Sequence, residues 1–237
     1  MLANTLDSGY ESMDGPVTTA LPVIFLGPTL SQKTARQIFD ADYRPPAKKG
    51  DLLRLATRAE ITMVGLIDGV FLQDYPPTPI EVYQLVKRQN IFVAGAASLG
   101  ALRAVELEKY GMFGIGKVFE LYKKGTICAD DEIAVTFGQD DYALQSEAMI
   151  DIRYNLFLAY KKSAISKNAK NAIAKVAKGI YFPDRNYEHI LDKAKKRYPN
   201  LAPEIESFRI YVAENRKSLK EIDAINLIKY FKMRYLR

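Results

Sequence analysis

Cysteine and histidine are almost absent from this 237-residue sequence, which has one of each, Cys128 and His189. A single cysteine cannot form an internal disulfide, so a reducing cytoplasm is the expected compartment. Neither a Cys-rich nor a His-rich zinc site can be built from one thiol and one imidazole. Ser-His or Cys-His catalysis would have to use His189 or take its base from another residue.

Long apolar runs are also missing. No stretch approaches the ~20 consecutive apolar residues needed to cross a bilayer, so no membrane partner is expected. The first twenty residues contain Asp7, Glu11 and Asp14 and lack the basic start and apolar block of a secretory signal. They are predicted to form a loose tail. Walker A and dinucleotide-binding glycine motifs are absent, which gives no indication of a nucleotide cofactor.

Charge is unevenly divided along the chain, which has a formal net charge of +6. From Lys161 to Arg237 there are 19 basic and 8 acidic residues, whereas residues 1 to 160 are net acidic. A basic half can bind nucleic acid or an acidic protein, or it can simply form solvated helices. Nucleic acid ranks last among these readings because no nucleic-acid-binding motif accompanies the charge.

Short apolar segments alternate with helical patterns three times in the first half of the chain. Strands are predicted at 23–26, 61–67 and 91–94. Helices are predicted at 29–40, 51–59, 80–89, 101–109, 116–124, 147–162, 167–178, 187–197, 203–215 and 219–237. This alternation predicts an α/β fold, a small parallel sheet flanked by helices with right-handed crossovers. We therefore expect a tail over 1–20, an α/β core over 21–140 and an all-helical basic region over 141–237.

Polar side chains lie where the three predicted strands end. Thr29 follows the first strand, Asp68 the second and Ser98 the third. Ligands bind beyond the carboxyl ends of open parallel sheets, so these side chains are expected to converge. The turns that carry them also contain Gly27, Gly69, Gly95 and Gly100.

Ser98 is the most informative position because it lies in a strand-to-helix turn among small residues. A serine in such a turn can be exposed as a nucleophile beside free backbone N–H groups. The strict G-x-S-x-G pattern is absent, since Gly95 lies three positions before Ser98. The same N–H groups could bind an anion, or Ser98 could cap the next helix.

Charged residues after Ser98 supply further candidates. Arg103 offers a bidentate fork for a carboxylate or phosphate, and it or Glu106 could instead form an ion pair. Asp130, Asp131 and Glu132 form an acidic run that could bind magnesium, supply a general base or contact a basic partner. A charged surface loop is the ordinary explanation of such a run.

Taken in order, eight segments resemble the TfuA family over about residues 22 to 137. They are 23–30, 43–47, 50–51, 67–71, 95–104, Glu106, 110–112 and 130–135. The resemblance implies an accessory protein of YcaO enzymes, which use ATP to make peptide backbone thioamides, as in ribosomally made peptide natural products. It also implies sulfide release by hydrolysis of the C-terminal thiocarboxylate of a ubiquitin-like sulfur carrier, and help for YcaO in binding its precursor peptide or target protein.

The resemblance assigns roles to the candidates above. The four turn glycines would let the carrier tail approach the backbone. Thr29, Glu106, Asp130 and Glu132 would help to bind this tail, and Arg103 would hold its carboxylate-like end. Backbone N–H groups near Ser98 would bind the oxyanion. Either Ser98 attacks, or water attacks with Asp68 or Asp131 as base. No metal is implied.

Two alternatives stay open. One is a non-catalytic adaptor that binds YcaO and the sulfur carrier and activates YcaO. The other is an independent phosphate-binding α/β protein. The sequence also leaves open whether the chain forms a homo-oligomer.

Overall fold

A computed structural model describes residues 20–70 and 74–236. Except for Ala20, the predicted tail lies outside the described residues. The sheet has five strands in the order β2-β1-β3-β4-β5, and every pair is parallel. The strands are β1 (Val23–Phe25), β2 (Asp42–Arg44), β3 (Met63–Leu66), β4 (Phe92–Ala96) and β5 (Phe113–Ile115). The predicted fold class, a parallel sheet flanked by helices, is confirmed.

The described structure also contains ten α-helices. They are α1 (Gln32–Ile38), α2 (Asp51–Ala56), α3 (Pro79–Val86), α4 (Leu99–Leu107), α5 (Lys117–Lys123), α6 (Met149–Lys161), α7 (Lys167–Lys178), α8 (Tyr187–Arg197), α9 (Ala202–Asn215) and α10 (Leu219–Tyr235). Side-chain caps set several of their starts, including Ser166 for α7 and Asn186 for α8. No helix among the described residues is long and apolar enough to span a membrane.

Two apolar layers cover the sheet. Successive side chains in a strand point to opposite faces. Val64 of β3 therefore packs with α2 to α5, whereas Ile24 of β1 faces α1 and α10. The late helix α10 buries Leu227 and Phe231 completely in this second layer. The C-terminal residues thus complete the core of a sheet formed by the N-terminal half.

Helices α6 to α9 form a third apolar cluster of their own. It contains Leu156, Ile173, Leu191 and Phe208, each fully buried. The division of the chain near residue 140 stays a prediction. Helices α6 to α9 have a core of their own, whereas α10 packs on the sheet.

Candidate functional site

The strand order changes direction at β1, and a crevice opens there. From β1 the chain passes through α1 to β2 on one side, then through α2 to β3 on the other. The loops after β1 and β3 therefore diverge, and α/β sheets bind ligands at such a point. The crevice is about 490 Å³ in volume and is walled by the β1–α1 loop and the N-terminal ends of α6 and α10. We call it the switch-point crevice.

Asp68, just after β3, fixes the β1–α1 loop beside this crevice. One carboxylate oxygen accepts hydrogen bonds from the backbone N–H groups of Gly27 and Thr29, both at 3.0 Å. The other accepts from the Thr29 hydroxyl at 2.5 Å. The side chain is buried, and a buried carboxylate needs such donors to offset its loss of water. Asp68 therefore positions the loop that carries Thr29.

Ser98 lies in a strained turn between β4 and α4. The preceding residue, Ala97, has a left-handed φ of 64°, and the Ser98 N–H donates back to the Ala96 carbonyl at 2.7 Å. The Ser98 hydroxyl does not cap α4, and it makes no hydrogen bond to any residue that the structure describes. The turn thus presents a free hydroxyl, which a capping serine would not have.

Thr29, Asp68 and Ser98 are brought together at the strand ends. Asp68 bonds to Thr29, and on its other side it lines a small void with Ser98, under the segment 133–137. This Ser98 void measures about 10 Å³, enough for roughly one water molecule. Val135 lines both the void and the switch-point crevice, so it forms part of the wall between them.

The turn glycines serve contacts within the chain. Gly95 on β4 faces Gly100 on α4, and a Cβ on Gly100 would overlap the Leu66 carbonyl. Helix α4 can therefore lie against the sheet only with glycine at this position. Gly27 faces the ring of Pro46, and Gly69 faces the Leu99 side chain in the same way. The space in front of all four glycines is filled by the protein itself.

Arg103 and Glu106 hold a neighbouring loop. The Arg103 guanidinium donates to the Pro77 carbonyl at 2.9 Å and to the Glu106 carboxylate at 2.7 Å. The Arg103 side chain is only 10% exposed. Neither residue lines the switch-point crevice or the Ser98 void. Arg103 therefore braces the loop between β3 and α3, and Glu106 pairs with Arg103.

Most of the acidic run is engaged in what we call the ion cluster, made of Asp131, Glu132, Arg153, Lys178 and Arg185. Asp131 pairs with Lys178 and with Arg185 at 2.9 Å, and Glu132 pairs with Arg153 at 2.8 Å and Lys178 at 2.9 Å. Burial acts to raise the pKa of both carboxyls, but their hydrogen bonds to these cations outweigh burial and lower each pKa. The cluster ties the segment after α5 to α6 and α7.

The structure does not bring the acidic run into the Ser98 void. Asp130 is exposed, while Asp131 and Glu132 face the helices. No group of three or more potential metal ligands occurs within residues 20–70 and 74–236. Asp131 and Glu132 instead form ion pairs with α6 and α7.

Sequence reasoning missed the charged wall of the switch-point crevice. Glu147 pairs with Arg216 at 2.7 Å. Asp151 accepts from the Leu219 N–H at 2.7 Å and from the Ser218 hydroxyl at 2.9 Å, so it caps α10. Burial raises the pKa of both carboxyls. These partners lie more than sixty residues apart in sequence, so no local pattern indicated them.

Comparison with known families matches a part of the chain that includes Asp68 and Ser98 but neither the β1–α1 loop nor α10. The model of the family described as TfuA-like protein matches residues 68–186, half of the chain. The match begins at Asp68, includes Ser98 and ends one residue after Arg185 of the ion cluster. No curated protein matches the chain. The chain belongs to the TfuA-like family, which gives it a YcaO partner and an accessory role in YcaO-associated thioamidation.

Proposed function

We propose that this TfuA-like protein supplies YcaO with sulfide by hydrolysing the C-terminal thiocarboxylate of a ubiquitin-like sulfur carrier, and that it promotes binding of the peptide substrate by YcaO. The observation that carries the proposal is the free hydroxyl of Ser98, held at the end of β4 and the start of α4. A serine hydroxyl without a hydrogen-bonding task, beside the N–H groups of a helix start, suits attack on an acyl carbon.

In the proposed reaction the Ser98 oxygen attacks the thiocarboxylate carbon. The C–O bond forms, the C–S bond breaks and sulfide leaves. Water then hydrolyses the ester, so carrier thiocarboxylate plus water yields carrier carboxylate plus hydrogen sulfide. The Gly100 N–H is already bonded to the Ile67 carbonyl, and the Ala101 N–H to the Ser98 carbonyl. The N–H of Leu99 accordingly serves as the oxyanion donor.

Asp68 is the base that the geometry favours. A carboxylate has about four acceptor sites, and Asp68 uses three of them within the loop. Because Asp68 and Ser98 line the same void, one water there can pass the Ser98 proton to the remaining site. Asp131 is less suited, since its lowered pKa makes it a weaker base and it belongs to the ion cluster.

The switch-point crevice is the proposed approach for the carrier tail. It reaches Pro28 and Val135, which also bound the Ser98 void. Displacement of segment 133–137 would join the two spaces and admit an extended tail to Ser98. Until the carrier is bound, the segment would keep Ser98 away from bulk water.

The apolar cover over Ser98 also favours a second candidate, the non-catalytic adaptor. Ser98 is 8% exposed, and the apolar side chains of Ile133, Val135 and Phe137 cover it. An adaptor would use the same surface for binding without opening the void. It would bring YcaO and the carrier together and leave the chemistry to YcaO.

An assay of sulfide release from a thiocarboxylated carrier distinguishes the hydrolase from the adaptor. The purified full chain is compared with Ser98→Ala and with Ser207→Ala, which makes the same chemical change at an exposed serine on α9. Hydrolysis predicts release by wild type and Ser207→Ala and none by Ser98→Ala. No release from folded wild type, or equal release from all three, overturns the Ser98 mechanism. Thioamide formation with YcaO added then tests the adaptor.

A further inference from the structure

A long segment of the helical region contains basic residues but no acidic ones. From Ile152 to Pro183 the sequence has no aspartate or glutamate. Its cations are Arg153, Lys161, Lys162, Lys167, Lys170, Lys175 and Lys178. Within the described residues only Arg153 and Lys178, both members of the ion cluster, form ion pairs. The other five lysines are exposed or half-buried, so their ammonium groups can contact solvent or a partner.

Two of these lysines lie over exposed aromatic rings of α6. The Lys161 ammonium lies 5.8 Å from the centre of the Phe157 ring, and the Lys170 ammonium lies 5.2 Å from that of Tyr160. Phe157 is 45% exposed and Tyr160 37%. Phe157, Tyr160 and Lys161 follow one another at helical spacing, so they share one face of α6. Aromatic area and positive charge are therefore interleaved there.

An apolar groove continues this face toward α5. The α5–α6 groove has a volume of about 420 Å³ and is lined by Leu121, Ile127, Ile150, Tyr154, Phe157 and Leu219. Lys117, Thr126 and Arg153 complete its lining. Phe157 belongs both to the groove and to the aromatic face. The groove can thus accept the apolar side chains of a bound segment. The cations beyond Phe157 can then pair with acidic residues of the same segment.

We propose that the α5–α6 groove and the adjoining lysines bind an acidic amphipathic helix of a protein partner. Apolar residues at i, i+3, i+4 and i+7 would fill the groove, and carboxylates beside them would meet Lys161 and Lys170. The site lies outside the switch-point crevice and shares none of its lining residues. It gives this protein a docking surface separate from its reaction site.

Charge and shape together favour a peptide over a nucleic acid. Positive charge attracts either polyanion, and exposed rings can stack on bases. The aliphatic lining supplied by Leu121, Ile127, Ile150 and Leu219 has no counterpart in a nucleic acid, whereas leucine side chains fill such a groove. The lysines present point charges without the fork by which arginine reads guanine.

A labelled synthetic helix tests the proposal, with leucines at i, i+3, i+4 and i+7 and glutamates between them. Its binding to the full chain is followed by fluorescence anisotropy. We expect Phe157→Ser and the double variant Lys161→Glu/Lys170→Glu each to weaken binding by about tenfold or more. The double variant Lys193→Glu/Lys196→Glu on α8 makes the same change of charge elsewhere and should stay within about twofold of wild type.

Two further probes complete the test. The same peptide with glutamine in place of glutamate should bind at least about tenfold more weakly. A single-stranded oligonucleotide should bind more weakly than the acidic peptide and should not displace it. The proposal would be overturned if both charge variants lost the same affinity for the peptide, or if the glutamate and glutamine peptides bound equally well. It would also be overturned if the oligonucleotide displaced the acidic peptide, or if that peptide did not bind at all. Circular dichroism of every variant establishes that it is folded.

Discussion

Replacing Asp68 separates two roles that its buried carboxylate can have. In Asp68→Ala the N–H groups of Gly27 and Thr29 and the Thr29 hydroxyl lose their acceptor. In Asp68→Asn the amide oxygen can keep both N–H bonds, and the amide NH₂ can donate to the Thr29 hydroxyl, which also accepts. The first change removes the hydrogen bonds, whereas the second removes mainly the charge.

The two variants should differ clearly in stability. An unsatisfied buried donor costs about 1–3 kcal/mol, so Asp68→Ala leaves two orphaned N–H groups and should lower the free energy of unfolding by about 4 kcal/mol. Asp68→Asn loses charge assistance and should cost about 1–2 kcal/mol. If Asp68 also accepts the Ser98 proton, Asp68→Asn should nevertheless abolish sulfide release, because an amide is not a base.

Urea unfolding followed by far-UV circular dichroism measures both free energies, provided that the m value is common to wild type and variants. Thr29→Val serves as a control, since it removes the hydroxyl but leaves both N–H bonds to Asp68; it should cost about 1 kcal/mol. Equal costs for Asp68→Ala and Asp68→Asn would refute the hydrogen-bond argument. A stable Asp68→Asn variant that releases sulfide at the wild-type rate would refute the assignment of Asp68 as base.

Three further predictions concern the framework of the site. Gly100→Ala should destabilise the protein by at least about 3 kcal/mol in thermal unfolding, because the added methyl group overlaps the Leu66 carbonyl. The control Gly179→Ala meets only ordinary contacts and should change stability by less than about 1 kcal/mol. Arg185→Met breaks the buried end of the ion cluster and should cost about 3–5 kcal/mol by the same measurement, and a loss below about 1 kcal/mol would contradict it. Burial raises the pKa of Asp223 from 3.8 to about 6, so its contribution to stability is fully present below pH 4 and is lost as pH rises through 6. Asp223→Asn should remove this part of the pH profile, whose slope is at most about 1.4 kcal/mol per pH unit, and unchanged slopes would count against the assignment.

The local parts of the fold could be predicted from the sequence. The helices over 167–178 and 187–197 have the predicted bounds, because a capping Ser166 or Asn186 precedes a clear helical pattern. Strands β2 and β5 were missed. β2 reads Asp-Tyr-Arg with two half-buried polar residues, and β5 contains the exposed Phe113 and a central glycine. Edge strands of three residues offer too little apolar alternation to be recognised.

The candidate site could be predicted only in outline. Topology placed Thr29, Asp68 and Ser98 at one edge of the sheet, because parallel strands end together. The cover over Ser98 and the charged wall of the crevice depend on contacts such as that of Lys220 with the Ile133 carbonyl. These contacts join segments that no periodicity relates, so the cover over Ser98 could not be predicted from the sequence.

The position of α10 has a consequence for biosynthesis. The sheet face around Ile24 is covered by residues that the ribosome adds about 200 positions later, and at about 5–20 residues per second this takes about 10–40 s. During that interval the nascent chain exposes an apolar surface that aggregation or a chaperone can reach. Loss of the last twenty residues would therefore compromise the whole protein and its yield in the cell.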